Sequence, residues 1–150
     1  MSNLFTIDVG STDEDACKDF CLKGTFSQDG LSRPSTPCVK CNTGNFSSAK
    51  GQSSCDVCTP GSYTPTSGEN SECIPCERGK TAVIHGATSC QFCGHGTFAP
   101  FEGLTVCYMC LPGSYSNVSL SYTCVECPGS FYSNVSAATG CKNICACMHR

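Results

Sequence analysis

The run Cys55-Asp-Val-Cys58-Thr-Pro-Gly61-Ser-Tyr63-Thr64 returns further along the chain as Cys107-Tyr-Met-Cys110-Leu-Pro-Gly113-Ser-Tyr115-Ser116. Both copies belong to a longer series. Six Cys-x-x-Cys pairs occur, at Cys38/Cys41, Cys55/Cys58, Cys73/Cys76, Cys90/Cys93, Cys107/Cys110 and Cys124/Cys127, and their first members are spaced by 17, 18, 17, 17 and 17 residues. Cys141 lies 17 residues beyond Cys124, and looser Cys17/Cys21 and Cys141/Cys145 pairs stand at the two ends. A fixed period marks a repeat architecture in which each copy is one small supersecondary unit. The array is expected to take in residues 17–145, leaving an acidic N-terminal tail or linker at 1–16 and a C-terminal tail at 146–150 that is expected to be truncated.

Other positions keep the same phase. Gly follows three residues after the second Cys at Gly24, Gly44, Gly61, Gly79, Gly96 and Gly113, and two residues later comes an aromatic at Phe26, Phe46, Tyr63, Phe98 and Tyr115. A second Gly stands ten residues after that Cys at Gly51, Gly68, Gly86 and Gly103. In the last copy the pattern reads one residue early, as Gly129 and Phe131, while Thr81 and Leu120 replace an aromatic and a glycine. Glycine accepts positive φ, so the chain turns sharply after each cysteine pair. Short aromatic and Ser/Thr runs such as Ser62-Tyr63-Thr64 then read as strand. The second Gly turns the chain back. Each repeat is thus a small β-hairpin that cannot bury a hydrophobic face alone, and its aromatic is expected to pack on the neighbouring disulfide.

Composition agrees. Cysteine supplies 17 of 150 residues, Leu, Ile, Val and Phe together only 26, and there is no Trp. Cysteine above about 8–10% marks a disulfide or metal scaffold. So little aliphatic side chain argues against a packed α/β enzyme, a helix bundle or a coiled coil. Nine Lys and Arg against twelve Asp and Glu, with no basic run, argue against nucleic acid, whose binders cluster positive charge. No window approaches the roughly 20 apolar residues of a membrane span. The start, Met1-Ser-Asn-Leu-Phe-Thr-Ile-Asp8, lacks the basic and apolar regions of a secretory signal. The cysteine content nevertheless points to an oxidising compartment, and the two facts agree if the chain is a piece of a longer secreted protein.

Connectivity is not fixed by sequence, but the period ranks the options. The simplest pairing joins the second Cys of one pair to the first of the next: Cys21–Cys38, Cys41–Cys55, Cys58–Cys73, Cys76–Cys90, Cys93–Cys107, Cys110–Cys124 and Cys127–Cys141. Each bond closes a similar loop, contributing roughly 3 kcal/mol in the chain-entropy model, so seven replace much of the missing core. Cys17, Cys145 and Cys147 are left over, as in an array cut at both ends.

Competing chemistries fit less well. Successive Cys-x-x-Cys pairs have spacing close to that of a zinc ribbon, so an intracellular scaffold of four-cysteine zinc sites is the alternative. Zinc modules use pairs two by two, which would make gaps within and between modules differ, whereas these gaps are uniform. A thioredoxin-like redox site needs a βαβ setting that the pattern lacks. His85, His95 and His149 stand without Asp or Ser partners and read as surface residues, and no catalytic constellation or cofactor motif is expected. Asp13-Glu-Asp15 reads as a solvated tail. Three Asn-x-Ser sequons, at Asn45, Asn117 and Asn134, are compatible with a secreted glycoprotein.

The Cys55–Thr64 and Cys107–Ser116 runs, and Cys124-Val-Glu-Cys127-Pro-Gly129-Ser-Phe131, resemble the ephrin-receptor-like cysteine-rich repeat across about residues 17–145. The resemblance implies an extracellular, disulfide-bonded rod, related in style to EGF-like modules and to the cysteine-rich modules of tumour necrosis factor receptors. It carries no ligand-binding residues, because ephrin receptors bind ligand chiefly through a separate domain. The variant surface proteins of parasitic protists are a second, less regular likeness. The expectation is a non-enzymatic extracellular or cell-surface array of stacked hairpins, serving as a spacer or interaction stalk. Its partners would be a protein ligand or neighbouring domains of its parent.

Overall fold

A computed structural model describes residues 19–68 and 70–143. Cys17, Cys145, Cys147, His149 and Asp13–Asp15 lie outside the described residues, as do both expected tails. The described residues form seven consecutive hairpin units, at 21–40, 41–57, 58–75, 76–92, 93–109, 110–126 and 127–143, numbered 1 to 7 below. Each opens on the second Cys of one pair and closes just after the first Cys of the next. Two-residue antiparallel strands define them: Thr25–Phe26 with Val39–Lys40, Asn45–Phe46 with Asp56–Val57, Ser62–Tyr63 with Ile74–Pro75, and Lys80–Thr81 with Gln91–Phe92. Thr97–Phe98 with Tyr108–Met109, Ser114–Tyr115 with Val125–Glu126, and Phe131–Tyr132 with Lys142–Asn143 complete the series. No helix occurs among the described residues.

Such short hairpins are not stable singly. They are held by stacking, and the stacking is done by backbone. Between units 3 and 4, Cys76 N–H donates to the Gly61 carbonyl at 2.8 Å and Gly61 N–H donates to the Ala82 carbonyl at 2.7 Å. Gly86 N–H donates to the Cys58 carbonyl at 2.8 Å, and Thr64 N–H to the Ala87 carbonyl at 3.2 Å. The corresponding four bonds recur at all six junctions. The core between the backbones is small and sulfur-rich. Cys21, Cys41, Cys58, Cys76, Cys93 and Cys110 are fully buried, and the residue after the aromatic position is buried in every unit, as Ser27, Ser47, Thr64, Ala82, Ala99, Ser116 and Ser133. A large residue there would force neighbouring hairpins apart.

The first glycine of units 2 to 5 does two jobs. Gly61 has φ +89°, and a Cβ built on it would collide with the carbonyl of Gly103, two units on. Gly44 meets Gly86 in the same way, Gly79 meets Leu120, and Gly96 meets Ala137. The second turn position has a left-handed backbone without that backbone collision in units 2 and 4 to 7, whereas Gly68 in unit 3 has an ordinary φ. Leu120 (φ 67°) and Ala137 (φ 56°) supply the left-handed backbone without being glycine, so the break that Leu120 makes in the sequence pattern does not break the turn.

The reading of the last copy is corrected. Phe131 pairs with Asn143 and Tyr132 with Lys142, so Tyr132, not Phe131, holds the aromatic position. Gly129 precedes the turn position, which Ser130 occupies. The separation of 14 residues between Cys127 and Cys141 equals that in most other units. Rung length, rather than the identity of the glycine, sets the register.

Unit 1 departs from the rest. Its disulfide spans 17 residues, and the extra length folds back as Leu31–Ser32, which pairs with Asp19–Phe20. Cys21 N–H donates to the Gly30 carbonyl at 3.0 Å, and Gly30 N–H donates to the Ser27 carbonyl at 2.9 Å. These are the bonds that the turn glycine of a preceding unit makes at every junction. Gly30 also approaches the Gly51 carbonyl as Gly44 approaches Gly86. Residues 30–32 therefore stand in for a preceding hairpin and cap that end of the stack. At the other end, the Cys127 carbonyl and the N–H groups of Ser130 and Ser133, all used at earlier junctions, have no partner among the described residues.

Candidate functional site: the disulfide ladder and its surface

The functional chemistry of the array lies in its cysteines. Seven disulfides join Cys21–Cys38, Cys41–Cys55, Cys58–Cys73, Cys76–Cys90, Cys93–Cys107, Cys110–Cys124 and Cys127–Cys141. These are the seven bonds of the simplest pairing by period. Their Cα atoms are 5.6–5.9 Å apart, inside the usual range for a bridge. Each rung crosslinks its own hairpin, and all fourteen cysteines among the described residues are taken up in this way. Their sulfurs are bonded to one another rather than gathered as four-thiolate zinc ligand sets.

The aromatic position supports the rung of the following unit. Tyr63 of unit 3 packs against the buried cluster of Cys76, Ala82 and Ala87 in unit 4, against which Cys90, the other half of that rung, also packs. Thr81, which takes the aromatic place in unit 4, is buried, and its Oγ1 lies 3.8 Å from Cys107 Sγ in the unit 5 rung. The smaller side chain thus still reaches the rung of the following unit. Phe98 and Tyr108 face each other across one hairpin, with ring centroids 6.0 Å apart. Lys80 Nζ lies 5.6 Å from the Phe92 ring centroid and 2.8 Å from Glu77 Oε2. The Glu77 carboxyl is held below its ordinary value by the hydrogen bond and charge of Lys80.

Two surface features stand out. The residue two places before the second turn position is apolar and exposed in four successive units: Ile84 (67%), Phe101 (65%), Val118 (55%) and Val135 (56%). Sequence reading passed over this series, although its 17-residue phase was available. The three sequon asparagines separate into two kinds. Asn117 and Asn134 are exposed at the same place in units 6 and 7, whereas Asn45 is half-buried in a strand and its Nδ2 donates to the Thr43 carbonyl at 3.0 Å. His85 and His95 are exposed.

No protein-family model matches the chain, and no curated protein matches it either. Two coarse conclusions rest on the structure. Seven intrachain disulfides favour an extracellular or otherwise oxidising location, and a disulfide-laddered repeat array is a structural element. Among the described residues no helix is long and apolar enough to cross a membrane.

Proposed function

We propose that this chain is a non-enzymatic extracellular spacer or interaction stalk of a larger receptor-like or secreted protein, built from ephrin-receptor-like cysteine-rich repeats. It would hold a protein ligand, or neighbouring domains of its parent, at a set distance. The observation that carries this reading is the identity of the six junctions. The same four backbone bonds recur at each, with one disulfide per unit, so length is set by the number of units and stiffness by the rungs. Such an array is quasi-one-dimensional, each unit depending mainly on its neighbours. The resemblance of the Cys55–Thr64 and Cys107–Ser116 runs supports the repeat type, and the rung chemistry supports a compartment outside the cytosol.

Excising whole units tests the spacer role. Deleting residues 76–92 joins Pro75 to Cys93, and so restores a Cys-x-x-Cys pair and leaves every other rung intact. The shortened protein is expected to fold, and its maximum dimension in small-angle X-ray scattering should fall by one step. Deleting 93–109 should shorten it by the same step. Loss of folding in both deletions, or an unchanged dimension, would contradict a modular spacer.

A further inference from the structure

We propose that Asn117 and Asn134 carry N-linked glycans and that Asn45, the third sequon asparagine, does not; this rests on the extracellular reading above. In the transfer, the asparagine side-chain nitrogen attacks C1 of the first sugar of a lipid-linked oligosaccharide diphosphate. The C1–O bond to the diphosphate breaks, the lipid diphosphate leaves with the electron pair, and the amide loses one proton to the transferase. The acceptor must present both its amide and the sequon hydroxyl, which lie on one short segment.

Asn117 and Asn134 meet that requirement in the same way. Each follows a buried serine whose Oγ donates into the loop, Ser116 to the Val118 carbonyl and Ser133 to the Val135 carbonyl, both at 3.1 Å. That bond shapes the loop from beneath and leaves the asparagine outside. The sequon hydroxyls Ser119 and Ser136 are exposed too. Neither the asparagine side chains nor these hydroxyls have a hydrogen-bond partner among the described residues. Their availability survives folding.

The Asn45 sequon is built into the ladder. Asn45 pairs with Val57 across the hairpin, its carbonyl accepts from Thr64 Oγ1 at 3.4 Å, and its Nδ2 is held by Thr43. The sequon hydroxyl, Ser47, is fully buried and donates to Gln52 Oε1 at 2.6 Å. Closing the Cys41–Cys55 rung therefore removes amide and hydroxyl together, so transfer there must outrun hairpin closure. Units 4 and 5 carry Val83 and Pro100 at the place of Asn117. Glycans would flank Val118 and Val135 and leave Ile84 and Phe101 as the bare part of the apolar series.

The test is site mapping on the full chain, given a secretory leader and produced in a eukaryotic cell, with secreted and retained material both analysed. Removing glycans with an amidase in H2(18)O converts each occupied asparagine to labelled aspartate. Label at 117 and 134 but not at 45 is expected, and Asn117→Gln and Asn134→Gln should each abolish one mass step while Asn45→Gln abolishes none. An unlabelled Asn117 or Asn134, or an Asn45 labelled to the same extent, overturns the proposal. Alkylating the same material separates the two readings. Blocked thiols with no glycan sink only the glycan assignment, whereas free cysteines throughout sink the extracellular reading beneath it.

Discussion

At the scale of single residues, what each glycine must do differs from place to place, and the differences can be measured. Gly61 sits at φ +89° with a carbonyl from two units away in the space where a Cβ would go, whereas Gly68 has an ordinary φ and nothing within 4 Å of that space. Gly61→Ala is expected to cost more than the about 1–3 kcal/mol of left-handed strain alone, because the backbone it meets cannot swing aside. Gly113 shares the positive φ but has an empty approach, so Gly113→Ala should cost only the strain. Gly68→Ala should be close to neutral. Guanidinium unfolding with disulfides intact would rank the three, and equal losses at Gly61 and Gly68 would refute the close-approach argument. Asn45 and Asn117 make a parallel contrast: one sequon is woven into a strand and the other left on a loop, which no residue type announces.

At the scale of the hairpin, each rung serves its own unit first. Removing the fourth rung as Cys76→Ser with Cys90→Ser should cost roughly the 3 kcal/mol of a loop of this length. The loss should be confined to 76–92 and the faces it shares with units 3 and 5. Limited proteolysis should cut only there, and cleavage throughout the chain would count against the ladder. The cap in unit 1 has its own sensitivity. The Asp29 carboxyl is lowered below its ordinary value, first by the Leu31 N–H bond, with Ser27 and Arg33 adding to it. A lowered carboxyl stabilises the fold above the ordinary carboxylate range, near pH 3.9, and that contribution is lost as pH falls through the lower folded value. The Leu31 amide resonance should therefore titrate with an inflection below about 3.9, and Asp29→Asn should abolish the step. An inflection at or above that value would show that the carboxylate does not hold the cap.

At the scale of the whole molecule, much was legible because one period wrote both the rungs and the turns. The spacing of Cys38/Cys41 through Cys124/Cys127 indicated hairpins, their order and the simplest pairing. Three things were not legible. The aromatic position of the last copy was given to Phe131 instead of Tyr132, because Gly129 and Phe131 mimic the motif one residue early while the 14-residue rung from Cys127 to Cys141 holds the register. The cap at Gly30–Ser32 has no periodic signature, since it imitates a neighbouring unit from within a longer loop; the 17-residue span of Cys21–Cys38 was its only trace. The turn at Leu120 was hidden because backbone conformation there is imposed by the stack rather than chosen by the residue. Among the described residues the two ends of the ladder consequently differ: at one the loop at residues 30–32 takes up the stacking groups, and at the other the Cys127 carbonyl and the Ser130 and Ser133 amides have no partner.

The claim on which the rest depends is nearest-neighbour crosslinking, and disulfide mapping of the intact protein tests it most directly. Alkylation under denaturing, non-reducing conditions followed by digestion should leave at most about three thiols labelled and give crosslinked peptides joining Cys58 to Cys73, Cys76 to Cys90, and so on along the chain. Twelve or more labelled thiols, or bridges that skip a unit, would contradict the ladder, and the spacer reading would fall with it.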